Sequence, residues 1–232
     1  MIGLIGAMEI EIKGLIAYMK NIQEESVSGM VFYSGTICEV PCVVAKCGPG
    51  KVNAAVCAEA MILKYAPEAV INLGVAGGIG PEVKIGDAVI ATAVVQHDVD
   101  TTALGDEKGF ISGLGKIFLP ADPVLTEKMK NAAEEVYPAR VHMGVIATGD
   151  QFIAGGEVLH AISREFRAAA CEMEGGSIGH VCIMNDVPFA VFRAISDHAD
   201  DHADIDFPQF AIEASERSSR LICALLKKMA KE

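Results

Sequence analysis

Tryptophan is absent, and nine Phe and four Tyr bring aromatics to only 6% of the 232 residues. A core of any size must therefore rest on Val, Ile, Leu, Ala and Met, and hydrophobic residues indeed reach 51% against 22% charged. That balance argues against disorder, which needs low hydrophobicity. Basic residues are scarce too: 19 Lys and Arg face 31 Asp and Glu, a net charge of −12. Nucleic acid and anionic membrane surfaces need a basic footprint, so neither is expected as a partner. No apolar run approaches the roughly 18 residues of a membrane-spanning helix. The opening residues Met1–Glu9 lack the basic start of a secretory leader, and Glu9 and Glu11 cut the apolar stretch short. They read as a buried first strand of a cytoplasmic protein. The seven cysteines are odd in number and contain no CxxC pair, which reads as free thiols in a reducing compartment.

What is present is a repeated switch between strand and helix periodicity. Strands are predicted at Ile2–Ala7, Val31–Tyr33, Val40–Lys46, Ala69–Leu73, Ala88–Val95, His142–Ala147, Ala168–Cys171 and Phe189–Ile195. Helices are predicted at Glu9–Met19, Val52–Tyr65, Thr126–Val136, Val158–Phe166 and Gly175–Met184. A last helix is predicted from Asp206-Phe207-Pro208, read as a cap and first-turn proline, to about Met229. Alternation of this kind predicts a three-layer α/β fold, a mixed and mostly parallel sheet flanked by helices. With no linker, repeat or low-complexity tract, residues 1–232 read as a single domain. Ligands of open α/β sheets bind at the carboxyl ends of strands. Glu9 and Glu11, Gly74–Gly78, Asp150, Glu172, Glu174 and Asp197 all fall there.

Three familiar motifs fail. Gly48-Pro49-Gly50-Lys51 lacks the glycine and hydroxyl of a phosphate loop, having Ala45 and Val52 in those places. Gly74, Gly77, Gly78 and Gly80 do not have dinucleotide spacing, and read instead as turns and close backbone approaches to a ligand. His198 and His202 among Asp197, Asp200, Asp201 and Asp204 have ligand-like spacing, but read as a solvated acidic loop rather than a metal site. No metal and no cofactor are expected.

Read in order, the strand-end segments resemble one family. Ile5–Glu11, Gly48–Ala55, Asn72–Gly78, His97–Ala103, Gly149–Ile153, Glu172–Glu174 and Arg193–Asp197 are similar to the 5′-methylthioadenosine/S-adenosylhomocysteine nucleosidases. The resemblance implies a purine nucleoside phosphorylase-like fold, a homodimer and hydrolysis of an N-glycosidic bond. It implies Glu11 as the base that activates water and Asp197 as the acid that protonates adenine. Acid and base on opposite sides of one ribosyl carbon suit a bond that leaves positive charge on the sugar and negative charge on the base. Glu174 would accept ribose hydroxyls, Met173 would pack on the ribose, Phe152 would stack on adenine, and the Ile153 backbone would read its edge. Met8 and Phe207 would wall the sugar and its 5′ side. Gly77, Glu172 and Ser196 complete the expected binding set, with Leu104 supplied by the partner subunit.

Two positions depart from the family. Val75 stands where Ser is frequent, and Leu104 where an aromatic residue often lines the 5′ pocket; both bear on substrate preference. Three alternatives stay open. One is a phosphorylase of the same fold, the second a futalosine-type hydrolase, and the third a catalytically silent nucleoside-binding module.

Overall fold

The computed structural model describes residues 1–137, 140–199 and 203–230, and for residues 203–209 the backbone alone. In chain order the elements are β1 (Ile2–Gly6), α1 (Glu9–Tyr18), β2 (Lys20–Val27), β3 (Met30–Ile37), β4 (Val40–Lys46) and α2 (Lys51–Tyr65). Then come β5 (Ala69–Gly78), β6 (Ala88–Gln96), a short 3-10 turn (Thr102–Leu104), β7 (Phe118–Pro120), α3 (Pro123–Val136) and β8 (Val141–Thr148). The chain ends with α4 (Gly156–Phe166), β9 (Ala168–Glu172), α5 (Gly175–Met184), β10 (Phe189–Asp197) and α6 (Ala203–Met229).

One sheet joins all ten strands. β1 lies parallel between β4 and β5, and every β1 and β5 residue is buried, as strands covered on both faces should be. On one face Ile12 and Leu15 of α1, Met129 of α3 and Leu221 and Leu225 of α6 pack together. On the other, Cys57 and Met61 of α2 pack with Ile178 and Cys182 of α5. Beyond β5 the pairings close on themselves. β5 pairs β10, β10 pairs β6, β6 pairs β8, β8 pairs β9, and β9 returns to β5.

That closure assembles the site. Gly77 near the end of β5 faces Asp197 of β10 on one side and Cys171 of β9 on the other. The β5–β10 register slips between Ile195 and Asp197. Successive strand residues normally face opposite ways, and a bulge re-aims them next to a functional site.

The structure differs from the sequence reading in several places. β2 is missed because its residues, KNIQEESV, are polar and almost wholly exposed, the composition of a guarded edge strand with no apolar alternation to detect. β7 is three residues long, too short for periodicity. α3 starts at Pro123, three residues early, because Asp122 caps it by accepting the Leu125 amide at 2.7 Å and Pro123 occupies the first turn. α6 starts at Ala203 rather than at Asp206, so Pro208 stands in its second turn. Asp197, read at the head of an acidic loop, is instead the buried last residue of β10. Of the proposed loop, Asp200, Asp201 and His202 lie outside the described residues.

Candidate active site

A half-open cavity of about 190 Å³ sits where β1, β5, β9 and β10 end. Met8, Glu11, Gly77, Phe152, Ile153, Glu172, Met173, Glu174, Ser196 and Asp197 all line it. These are ten of the twelve residues expected from the sequence. Leu104 is 83% exposed on the 3-10 turn and does not line the cavity of its own chain. Phe207 lies where side chains are outside the described residues.

Glu11 is the third residue of α1, and its carboxylate folds back over the helix start. Oε2 accepts the amides of Ala7 at 2.7 Å and Met8 at 2.9 Å, and Oε1 accepts the amide of Val75 at 3.0 Å. An acid in a first turn is also stabilised by the helix dipole. Burial pushes the Glu11 carboxyl above its ordinary value, while nearby Arg193 and the three amides oppose the rise. The β5 backbone must pass very close to this carboxylate. A Cβ on Gly74 would lie 2.5 Å from Glu11 Oε1, and one on Gly77 2.9 Å from Asp197 Oδ1.

Asp197 is 2% exposed. Ser196 Oγ donates to its Oδ2 at 2.8 Å, and the Ala199 amide to its Oδ1 at 2.8 Å. These contacts fix the carboxyl at the cavity wall beside Gly77.

Glu174 caps α5 and accepts the Gly50 amide at 3.0 Å. Burial and the neighbouring Glu172 push its carboxyl up to about 7. Glu172 lines the cavity and is bonded throughout by the protein itself. Its oxygens are held by Arg193, by Thr148 Oγ1 and by the amides of Glu174 (3.1 Å) and Gly175 (2.7 Å). It orders the start of α5 and the cavity wall, with its acceptors already occupied by protein groups.

Arg193 is the residue to which the sequence reading gave no role. It is 1% exposed, bonds Glu172 and Asn72 Oδ1 (2.5 Å), and stands 3.7 Å from Glu174. The signal was available: a cation inside the apolar run Phe189–Ile195 must find buried anions. Gln151, Pro49 and Cys171 also line the cavity without having been singled out. Burial and neighbouring acids raise the Cys171 thiol, which makes it a poor nucleophile. Among the described residues no group of three or more His, Cys, Asp or Glu could hold a metal ion, and no helix is long and apolar enough to cross a membrane.

The model of the phosphorylase superfamily matches residues 1–227. A 5′-methylthioadenosine/S-adenosylhomocysteine nucleosidase of Shewanella sp. (strain MR-7) is 39% identical over 229 residues, covering 98% of this chain and 97% of that protein. The chain belongs to this nucleosidase family of the phosphorylase superfamily. Among solved structures, the family's Neisseria meningitidis member in complex with methylthio-immucillin-A superposes with a TM-score of 0.94 at 37% identity, with 98% of each chain covered. The futalosine hydrolase of Helicobacter pylori superposes with a TM-score of 0.93 at 35% identity, covering 98% of this chain and 97% of that one. The ten-stranded mixed sheet flanked by helices is thus the phosphorylase-like fold that the sequence implied.

Proposed function

We propose that this nucleosidase hydrolyses 5′-methylthioadenosine and S-adenosylhomocysteine to adenine and the 5′-thioribose, as one α/β domain spanning residues 1–232. Glu11 takes a proton from water as the water oxygen bonds to the ribosyl carbon. The C–N bond electrons leave with adenine, and Asp197 places its proton on N7 of the departing base. The observation that carries the reading is the joint placement of buried Glu11 and Asp197 on one cavity, each oriented by backbone amides. Glu174 accepts the ribose hydroxyls, Met173 and Met8 pack on the sugar, and Phe152 and Ile153 take the base. No metal or cofactor is assigned a part.

Hydrolysis is favoured over phosphorolysis by charge. Four carboxylates line the cavity, and no Lys or Arg stands among its described lining residues. Arg193 is already engaged by Glu172 and Asn72. A multiply charged phosphate would meet repulsion there. The likeness to a futalosine hydrolase supports aminodeoxyfutalosine as a further substrate, because the same acid and base would serve.

A second observation supports a homodimer. Val52, Val56 and Leu63 fall on one exposed face of α2, and Met184 is exposed at the end of α5, where Asn185 bonds Glu59 of α2. Exposed apolar patches of this kind mark interfaces, and two-fold pairing is the commonest closed form. Exposed Leu104 then reaches the partner's 5′ pocket. All seven cysteines are free, in keeping with a cytoplasmic setting.

Adenine release from the three nucleosides, in phosphate-free buffer with chelator, tests the activity. A strict phosphate requirement with ribose 1-phosphate as product overturns it. A fully active monomer in light scattering overturns the dimer.

A further inference from the structure

Three residues outside the expected set form a closed ring at the cavity rim. Lys51 opens α2, Asp98 follows β6, and Asp150 follows β8. Lys51 Nζ donates to Asp98 Oδ1 at 2.6 Å. The Asp150 amide donates to Asp98 Oδ2 at 2.9 Å, and the Lys51 amide donates to Asp150 Oδ1 at 2.7 Å. Each member therefore holds both others, and three segments far apart in sequence are tied at one point.

The ring touches the cavity on two sides. Gly50, immediately before Lys51, donates its amide to Glu174 Oε1. Gln151, Phe152 and Ile153, immediately after Asp150, form the cavity wall. The junction is tight. Gly50 has φ of +95°, and a Cβ there would lie 3.0 Å from Asp150 Oδ1. Ser177 Oγ of α5 adds a bond to the Lys51 carbonyl at 2.7 Å. The Lys51 and Asp98 side chains are only 18% and 29% exposed, so solvent screens their pair incompletely.

We propose that Lys51, Asp98 and Asp150 are positioning residues that link the loop facing the base to the carboxylate facing the ribose, so that docking of the 150–153 loop also seats the Gly50 amide on Glu174. The inference rests on the nucleosidase reading of the cavity. Its consequence is electrostatic. The charged or titratable groups facing Glu174 are Glu172 from β9, Arg193 from β10, Glu11 from α1 and Cys47 after β4. Two of these are acids, and burial adds to their effect. Among the described residues Arg193 and the Gly50 amide favour the ionised form, and the ring holds the segment that carries the amide.

The test measures binding by calorimetry from pH 5.5 to 9 with two probes. One is adenine. The other is a carbon-linked, non-cleavable analogue of 5′-methylthioadenosine. Nucleoside affinity should rise with pH as Glu174 ionises. One lost backbone N–H bond is worth roughly one pH unit to a carboxylate. In Asp98→Ala and Lys51→Met the midpoint should therefore move up by about that much, weakening nucleoside binding about fivefold at pH 7. Adenine, with no ribose, should show no such midpoint, and Lys51→Arg should restore the wild-type profile. Asp98→Asn, which keeps an acceptor for the Asp150 amide, provides a milder variant and should shift the midpoint less. Unmoved midpoints in folded Asp98→Asn and Lys51→Met overturn the ring's role. A wild-type protein that releases no adenine from methylthioadenosine overturns the nucleosidase reading instead, whatever the midpoints.

Discussion

Gly74→Ala tests the placement of Glu11 without replacing any reacting group. The added Cβ would lie 2.5 Å from Glu11 Oε1 and 3.0 Å from its Cδ, about 0.9 Å inside the 3.4 Å where such contacts become ordinary. Glu11 has little freedom to retreat. Oε2 is held by the amides of Ala7 and Met8, and Oε1 by the amide of Val75, the neighbour of the altered residue. Either the carboxylate moves by most of that distance, or the β5 backbone moves and carries the Val75 amide with it. Overpacking of a dense interior costs about 1–3 kcal/mol, so the variant should fold with a lowered melting temperature. A misplacement approaching 1 Å costs on the order of 10²-fold in rate, and kcat/KM for methylthioadenosine should fall by about that factor. Weakening the Val75 bond should also raise the Glu11 carboxyl further. The acid limb of the pH profile, where a protonated Glu11 can no longer accept a proton, should then move to higher pH. Adenine release followed by absorbance between pH 5 and 9 gives both quantities. Gly113→Ala, whose Cβ would meet nothing within 4 Å, is the matched control and should be silent. A folded Gly74→Ala enzyme within threefold of wild type, with an unmoved acid limb, refutes the assignment of Glu11 as a tightly held base.

Asp197→Asn should keep the fold but lose about 10²–10⁴-fold in turnover of methylthioadenosine, and recover much of it on a p-nitrophenyl-type riboside, whose leaving group needs no proton; equal impairment on both substrates counts against the acid role. Arg193→Met leaves Glu172 and Glu174 without their buried cation, and breaking such a pair costs about 3–5 kcal/mol, so denaturant unfolding should show a loss of that order at pH 8 and a smaller one at pH 5, where Glu174 takes up a proton. Glu174 has a folded value near 7 against an ordinary 4.5; the stability it lends is full below 4.5 and lost as pH rises to about 7. Glu174→Gln should therefore melt above wild type at pH 8 but not at pH 5, while binding nucleosides poorly. Leu104→Phe, at an exposed position, should leave the melting temperature unchanged and alter the ratio of kcat/KM for methylthioadenosine to that for S-adenosylhomocysteine; an unchanged ratio means that Leu104 does not reach a 5′ pocket.

Local chemistry explains what the sequence disclosed. Buried strands such as β5 announce themselves as apolar runs, and ligands gather where such runs end, so Glu11, Glu174 and Asp197 stand out in the sequence. β2 did not, because an edge strand exposed along its length carries no apolar pattern. The start of α3 was legible in Asp122-Pro123 but carried no apolar periodicity. Arg193 was visible as a residue and invisible as a function. Its partners come from two distant segments, Asn72 from β5 and Glu172 with Glu174 from the end of β9, and the closure of β5 against β9 and β10 brings them to it.

The remaining blind spot has one physical origin. The carboxylates of this site are held mainly by backbone amides: Ala7, Met8 and Val75 on Glu11, Glu174 and Gly175 on Glu172, Gly50 on Glu174, and Ala199 on Asp197. Every residue except proline carries that donor, so residue type does not reveal it. What sequence can show is the clearance a close approach needs, which here means Gly74 beside Glu11 and Gly77 beside Asp197. The departure at Val75 then makes physical sense. The contact that matters to Glu11 is the amide of residue 75, and it is unchanged by Val in place of Ser. Val75 itself lines the cavity, and a hydroxyl there would offer a polar contact that valine lacks. Under the proposed reading, substitution at that position should alter how water and sugar are seated while the amide contact to Glu11 is kept.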